Sequence, residues 1–196
     1  MRTITLFVAS VALLAFPSPL VAHEGGAAAG LLSGLLHPVS GLDHVLAMLA
    51  VGIWGAQMGP PAIWVLPVTF PMVMALGGML SLVGVPVPGV EIGIGLSALL
   101  LGLMVAFERR PDLRVAAVLV GFFAIFHGYA HGAELPEGQS GILYSIGFVV
   151  STGTLHASGI GIGLIHRWDR GKRALRIAGA GIAAGGAWFT WLAVSG

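Results

Sequence analysis

Cysteine is absent from the 196 residues. That excludes disulfides, thiolate metal sites and cysteine nucleophiles, and leaves His, Asp, Glu and Met as the side chains able to ligate a metal. Charge is scarce too: Asp, Glu, Lys and Arg make up 9% of the chain, and nine basic against eight acidic groups give a net charge of +1. A soluble domain carries roughly 25% charged residues, so a soluble fold does not fit. The basic residues cluster at helix ends, so no nucleic-acid footprint is expected. There is no Walker A sequence, which argues against an intrinsic ATP motor. A His-Glu-x-x-His pattern and a long His-rich tract are missing as well, which weakens metalloprotease and metal-storage readings.

What is present is apolar: 57% of the residues are hydrophobic and the mean hydropathy is +0.96. Six stretches approach the ~20 residues that cross a ~30 Å hydrocarbon core: about 40–58, 62–84, 90–107, 113–134, 141–165 and 174–195, with a weaker apolar piece at 27–36 leading into the first. The breaks carry turn chemistry, as in Gly59-Pro60-Pro61, Pro86-Val87-Pro88-Gly89, Arg110-Pro111-Asp112 and Leu135-Pro136-Glu137-Gly138. Each break is short, which predicts antiparallel neighbours in an all-α, polytopic membrane helical bundle of six transmembrane helices. Glycine, at 31 residues, supplies small faces for close helix packing.

The chain divides into a signal peptide at 1–22 and a single transmembrane domain at 23–196. Met1-Arg2 gives a basic start, "ITLFVASVALLAF" an apolar core and "PSPLVA" a helix-breaking end. Leu20 departs from the small residue favoured three positions before a cut after Ala22, and an uncleaved first helix is the alternative. Apart from Arg2, the basic residues occupy two connections: Arg109, Arg110 and Arg114, then Arg167, Arg170, Lys172, Arg173 and Arg176. The positive-inside rule places loops 108–114 and 166–176 in the cytoplasm of a bacterial inner membrane. The opposite connections carry Glu91, Glu134 and Glu137, and the mature N-terminus and the C-terminus are then periplasmic.

Ionisable side chains at membrane depth are expensive and mark candidate sites. His127, His131 and Glu134 lie at spacings of four and three, so a helix advancing ~100° per residue gathers them on one stripe. The residues between them, Gly128, Ala130, Gly132 and Ala133, are small. Two imidazoles and a carboxylate suit a first-row divalent ion, Ni²⁺, Co²⁺, Zn²⁺ or Cu²⁺; a helix end snorkelling to the interface is the plainer reading of Glu134. Nearer the N-terminus stand His37, Asp43 and His44, with Met48 one turn beyond His44. Ser40 to Asp43 has capping-box spacing, so Ser40 is expected to start the helix, with His37-Pro38 in a break before it. Asp43 either binds the ion or orients a ligating histidine. The alternating topology places this group opposite the 127–134 stripe in the outer half, across one vestibule. His156, beside Ser151, Thr152 and Thr154, falls in the inner half. It is either a second station on an ion path or a buried histidine bonded to a neighbouring hydroxyl. His23-Glu24 could capture metal weakly, although a surface position suffices for it and for His166.

Two long segments, "HPVSGLDHVLAMLAVGIWGAQ" at 37–57 and "FHGYAHGAE" at 126–134, resemble the HupE/UreJ membrane proteins, nickel/cobalt permeases associated with hydrogenase or urease maturation. With the signal-like start and the six-span layout, the resemblance covers nearly the whole chain. It implies functional roles for His37, Asp43 and His44 in the first span and for His127, His131 and Glu134 in the fourth. Trp54 and Gln57 match the motif too, Trp54 as a packing or interface anchor.

The expected function is therefore a secondary permease, not an enzyme. It has no permanently bound cofactor and passes Ni²⁺ or Co²⁺, with Zn²⁺ or Cu²⁺ as further candidates, from periplasm to cytoplasm. Its partners are the ion and the bilayer, with self-association into a homo-oligomer left open. Acidic outer loops would concentrate cations, and uptake should fall at acidic pH as the imidazoles protonate. The alternatives from other classes are an intramembrane zinc-dependent hydrolase and a bis-histidine haem protein.

Overall fold

The structure, a computed structural model, describes residues 27–196. The signal peptide expected at 1–22 and the weak ligand His23 lie outside the described residues. Among the described residues every regular element is helical: α1 Ala27–Ser40, α2 Leu42–Met58, α3 Ala62–Leu82, α4 Val90–Ala106, α5 Leu113–Ala133, α6 Gly141–Gly163, a 3-10 turn at Leu164–Arg167, and α7 Asp169–Ser195.

Four of these units, α3, α5, α6 with its 3-10 turn, and α7, are long and apolar enough to cross a membrane, and α1 with α2 makes a fifth if the pair is one broken span bent by 80°. Helix α4 is apolar but has only 17 residues, about 25 Å at 1.5 Å per residue, short of a full hydrocarbon core. Helix length and composition thus support four or five spans where hydropathy suggested six.

The start of the first span differs from expectation. Pro38 lies inside α1, the break is confined to Gly41, and Gly41 caps α2 without any side-chain hydrogen bond. The Ser40 hydroxyl instead donates back to the His37 carbonyl at 2.7 Å, closing α1. Proline removes only one helical donor, and close to a helix end that loss is tolerated. The extended Gly41 (φ −98°, ψ 115°) then redirects the chain.

Helix α2 is the axis of the bundle. Every residue from Ala50 to Gln57 is buried, against α6, α4 and α3, as befits a helix apolar on all sides. Around it α3 lies along α5, α4 along α7, and α1 along α6. The outward faces are apolar: Trp64, Val68, Met72 and Leu76 form an exposed stripe on α3, and Val115, Val118 and Phe122 one on α5. In water such patches would drive aggregation; against lipid they are the expected surface.

Two side chains of α2 tie it to the end of α4. Trp54 Nε1 donates to the Arg109 carbonyl at 2.7 Å, and Gln57 Nε2 to the Val105 carbonyl at 3.2 Å, satisfying groups at a helix terminus. Trp54 is fully buried, so of its two expected roles it takes the packing one. Trp54→Phe is expected to cost about 1 kcal/mol, the net worth of one such bond. The check is a lower unfolding midpoint in detergent with metal affinity unchanged.

Candidate functional site

The first turn of α2 fixes Asp43 and His44 together. One Asp43 oxygen, Oδ1, accepts from the His44 backbone N–H at 2.8 Å and from the ring Nδ1 at 2.9 Å. The second contact requires Nδ1 to carry the proton, so Nε2 keeps its lone pair. That Nε2 is buried and has no hydrogen-bond partner.

The last two turns of α5 place His127 and His131 one above the other, with Glu134 capping the helix. His127 is fully buried, and its Nε2 lies 2.8 Å from the Ser97 hydroxyl of α4. Ser97 also donates to the Ile94 carbonyl at 2.6 Å. A carbonyl only accepts, so the single hydroxyl proton goes to Ile94 and Ser97 accepts from His127 Nε2–H. Nδ1 of His127 is then the bare nitrogen, and it too is buried without a partner. His131 is 5% exposed and neither of its ring nitrogens has a partner.

At the end of α1, His37 Nε2 lies 2.8 Å from Glu134 Oε2 and donates to it. The four imidazoles form a continuous chain of edge contacts: His37 to His131 at 4.7 Å, His131 to His44 at 4.6 Å and His44 to His127 at 4.6 Å between centroids. One ligand atom from each of His37, His131 and Glu134 falls within 4.8 Å of the others. A cavity of about 350 Å³ opens over the cluster, lined by His37, Asp43, His44, Glu91, His131 and Glu134. The Glu134 side chain is 55% accessible, against 25% for that of His37.

The two histidine groups foreseen on separate spans thus come together. The stripe His127, His131 and Glu134 descends from the mouth into the bundle, and His44 faces it from α2. His37 reaches the same cavity from the end of a helix instead of from an irregular break. Deeper still, Phe70 of α3 stands against His127 at 5.2 Å, and His156 of α6 against Phe70 at 5.3 Å. His156 is not bonded to a hydroxyl, because both its ring nitrogens lack partners. Met48 is buried in the apolar cluster that also contains Phe70 and Met74. His166 sits at the other end of α6, its Nδ1 2.9 Å from the Gly163 carbonyl.

Three residues of the site were not anticipated. Ser97 had a signal, since it is the one hydroxyl in the apolar helix "VEIGIGLSALLLGLMVA". Glu91, read only as a loop acid, lines the mouth. Phe70 had no signal, because one phenylalanine among apolar neighbours looks like any core residue. A larger cavity, of about 920 Å³, lies beside His131 between α3, α5 and α6, lined by Pro71, Met74, Met79, Tyr144, Phe148 and other mostly apolar residues. It offers His131 one apolar flank.

The family described as HupE / UreJ protein matches residues 11–189. Protein HupE of Rhizobium leguminosarum bv. viciae is 46% identical over 178 residues, covering 91% of this chain and 93% of its own. No solved structure matches the chain.

Proposed function

The chain belongs to the HupE/UreJ family, and from that premise we propose that it is a secondary permease passing Ni²⁺ or Co²⁺ from the periplasm to the cytoplasm. The observation that carries the proposal is the set of unpartnered imidazole nitrogens, His44 Nε2, His127 Nδ1 and those of His131, gathered under one mouth. Buried polar atoms are nearly always hydrogen-bonded. Lone pairs held bare on neighbouring rings suit a borderline divalent cation, which binds imidazole well.

In this reading Glu91 and Glu134 attract the hydrated ion to the mouth. Glu134 and His37 exchange their mutual hydrogen bond for the ion, the His37 ring proton passing from Nε2 to Nδ1 so that Nε2 binds as a neutral imidazole. His131, His44 and His127 then replace water in steps as the ion moves inward. Asp43 and Ser97 hold their histidines in the tautomers that present a free nitrogen, as second partners of metal-bound imidazoles commonly do. Several partial ligand sets, none a closed cage, let the ion leave again. The basic connections on the far side, Arg109 to Arg114 and Arg167 to Arg176, favour a cytoplasmic location for that end. Six crossings result if α4, short but enclosed by α2, α5 and α7, counts as a span.

The alternatives are less well supported. Imidazoles touching edge to face at 4.6 Å leave no slot for a planar macrocycle between His44 and His127 or between His44 and His131. The test is metal uptake into liposomes containing the purified protein, run separately with Ni²⁺, Co²⁺, Zn²⁺ and Cu²⁺. Uptake of Ni²⁺ or Co²⁺ above protein-free vesicles is expected, and failure to move any of the four ions would sink the permease reading. Asp43→Asn removes the charge that favours the His44 Nδ1–H tautomer. It is expected to weaken Co²⁺ binding by about 10-fold, the low end for such partners, as read by titration in detergent.

A further inference from the structure

Below the outer cluster, the buried face of α6 carries a polar pair for which the reading above has no use. His156 is 2% exposed and Thr152, one turn earlier on the same face, 0%. Both His156 ring nitrogens and the Thr152 hydroxyl lack hydrogen-bond partners. A threonine or serine in a helix ordinarily turns its hydroxyl onto the carbonyl four residues back. Thr154 and Ser158 do so on this helix, to Val150 and Thr154, each at 2.8 Å; Thr152 does not. Helix α3 supplies a third group. Pro71 has no N–H, so the carbonyl of Pro67 four residues earlier has no helical donor. That carbonyl lies near the His156 ring, yet without a hydrogen bond to either nitrogen. A buried, unpartnered imidazole, a buried, unpartnered hydroxyl one turn from it and a carbonyl freed of its helical donor are three lone-pair donors supplied by two packed helices.

One apolar residue touches both this group and the outer cluster. The fully buried Phe70 ring contacts both His127, at 5.2 Å, and His156, at 5.3 Å, between centroids. Along the sequence of rings His44, His127, Phe70, His156, it is the one member with no ligand atom.

We propose that His156, Thr152 and the Pro67 carbonyl form a second, inner station for the divalent ion, and that Phe70 is the apolar barrier dividing it from the outer imidazole cluster. The inference rests on the permease reading and adds to it a stopping point and a gate. An ion leaving His127 has no ligand until the phenyl side chain rotates aside, and His156 then receives it. The mixed imidazole and oxygen set is weaker than the imidazole cluster above, which favours inward release, and a hydrophobic constriction between two sites is a recognised way to gate a pore.

The test uses the full chain in lipid nanodiscs and Co²⁺ as probe, its visible bands and equilibrium dialysis giving the number bound. The wild type is expected to bind two Co²⁺ per chain. His156→Gln and, independently, Thr152→Val should each lose the inner ion, with the outer ion retained as proof of an intact fold. His44→Ala should lose the outer one. In liposomes His156→Gln should slow Co²⁺ uptake by about 10-fold, an effect typical of a lost metal-site partner, and Phe70→Ala should speed it severalfold. A wild type that binds one ion, or inner-station variants that bind two and transport normally, would overturn the second station. Unchanged uptake by Phe70→Ala would overturn the barrier. A wild type that binds two ions and moves none would contradict the permease reading while leaving the two stations standing, so the two failures are distinguishable.

Discussion

Vesicles carrying His131→Ala should take up Ni²⁺ or Co²⁺ at less than about a hundredth of the wild-type rate. The expectation follows from the position of that ring. It contacts His37 at 4.7 Å and His44 at 4.6 Å, so it joins the exposed mouth to the buried part of the cluster. Both its nitrogens are free, so it is tied to no structural hydrogen bond that its removal would break. Loss of an orienting partner typically costs 10–100-fold in metal affinity, and loss of a ligand shared by both parts of the cluster should exceed that. The ring also rests against Phe148 at 4.0 Å, so truncation leaves a small void whose cost falls on stability. Measuring uptake at matched amounts of folded protein separates the two effects. An uptake rate within threefold of wild type would remove His131 from the path.

Gly128→Leu should have the largest effect on the fold. A Cβ on Gly128 would overlap the Met74 carbonyl, and the next nearest atoms are again Met74 backbone. No side chain can move aside to make room, so α5 must separate from α3. Overpacking a core costs about 1–3 kcal/mol when side chains can adjust; here they cannot, and the cost should lie above that range. In lipid, close approach through small residues is itself the source of helix association, so nothing compensates the separation. His127 and His131 flank this glycine and would move with the helix. The expected outcome is little folded protein after extraction, and a lost Co²⁺ site in what remains. Gly161→Ala, where nothing lies within 4 Å of the added carbon, is the control and should fold normally. A normally folded, metal-binding Gly128→Leu protein would show that the α3 and α5 contact is not what holds the site.

How far the sequence reached is clearest at individual residues. The stripe His127, His131 and Glu134 was legible because it depends only on helical spacing within one element. The meeting of His44 with that stripe followed from counting apolar segments and noting which ends they share. What was not legible depends on packing between elements. Ser97 reaches His127 only because α4 lies beside α5, and Phe70 touches both His127 and His156 only because three helices meet there. Local signals also competed: Ser40 has the spacing of a helix start, yet its hydroxyl closes α1 because the extended Gly41 turns the chain one residue later. The shortness of α4 was already visible in the sequence, whose apolar stretch there is 90–107 against a helix of Val90–Ala106, but apolarity alone counted it as a span.

The central claim is that the neighbouring, unpartnered imidazoles of α2 and α5 hold the transported ion. X-ray absorption of the Ni²⁺-loaded protein tests it most directly. Two or more imidazole nitrogens close to ~2.0–2.1 Å from the metal, as in other metal–histidine sites, are predicted, with their scattering lost in the His44→Ala, His131→Ala double variant. A nickel environment made only of oxygen ligands, or an imidazole signature that persists unchanged in the double variant, would contradict it.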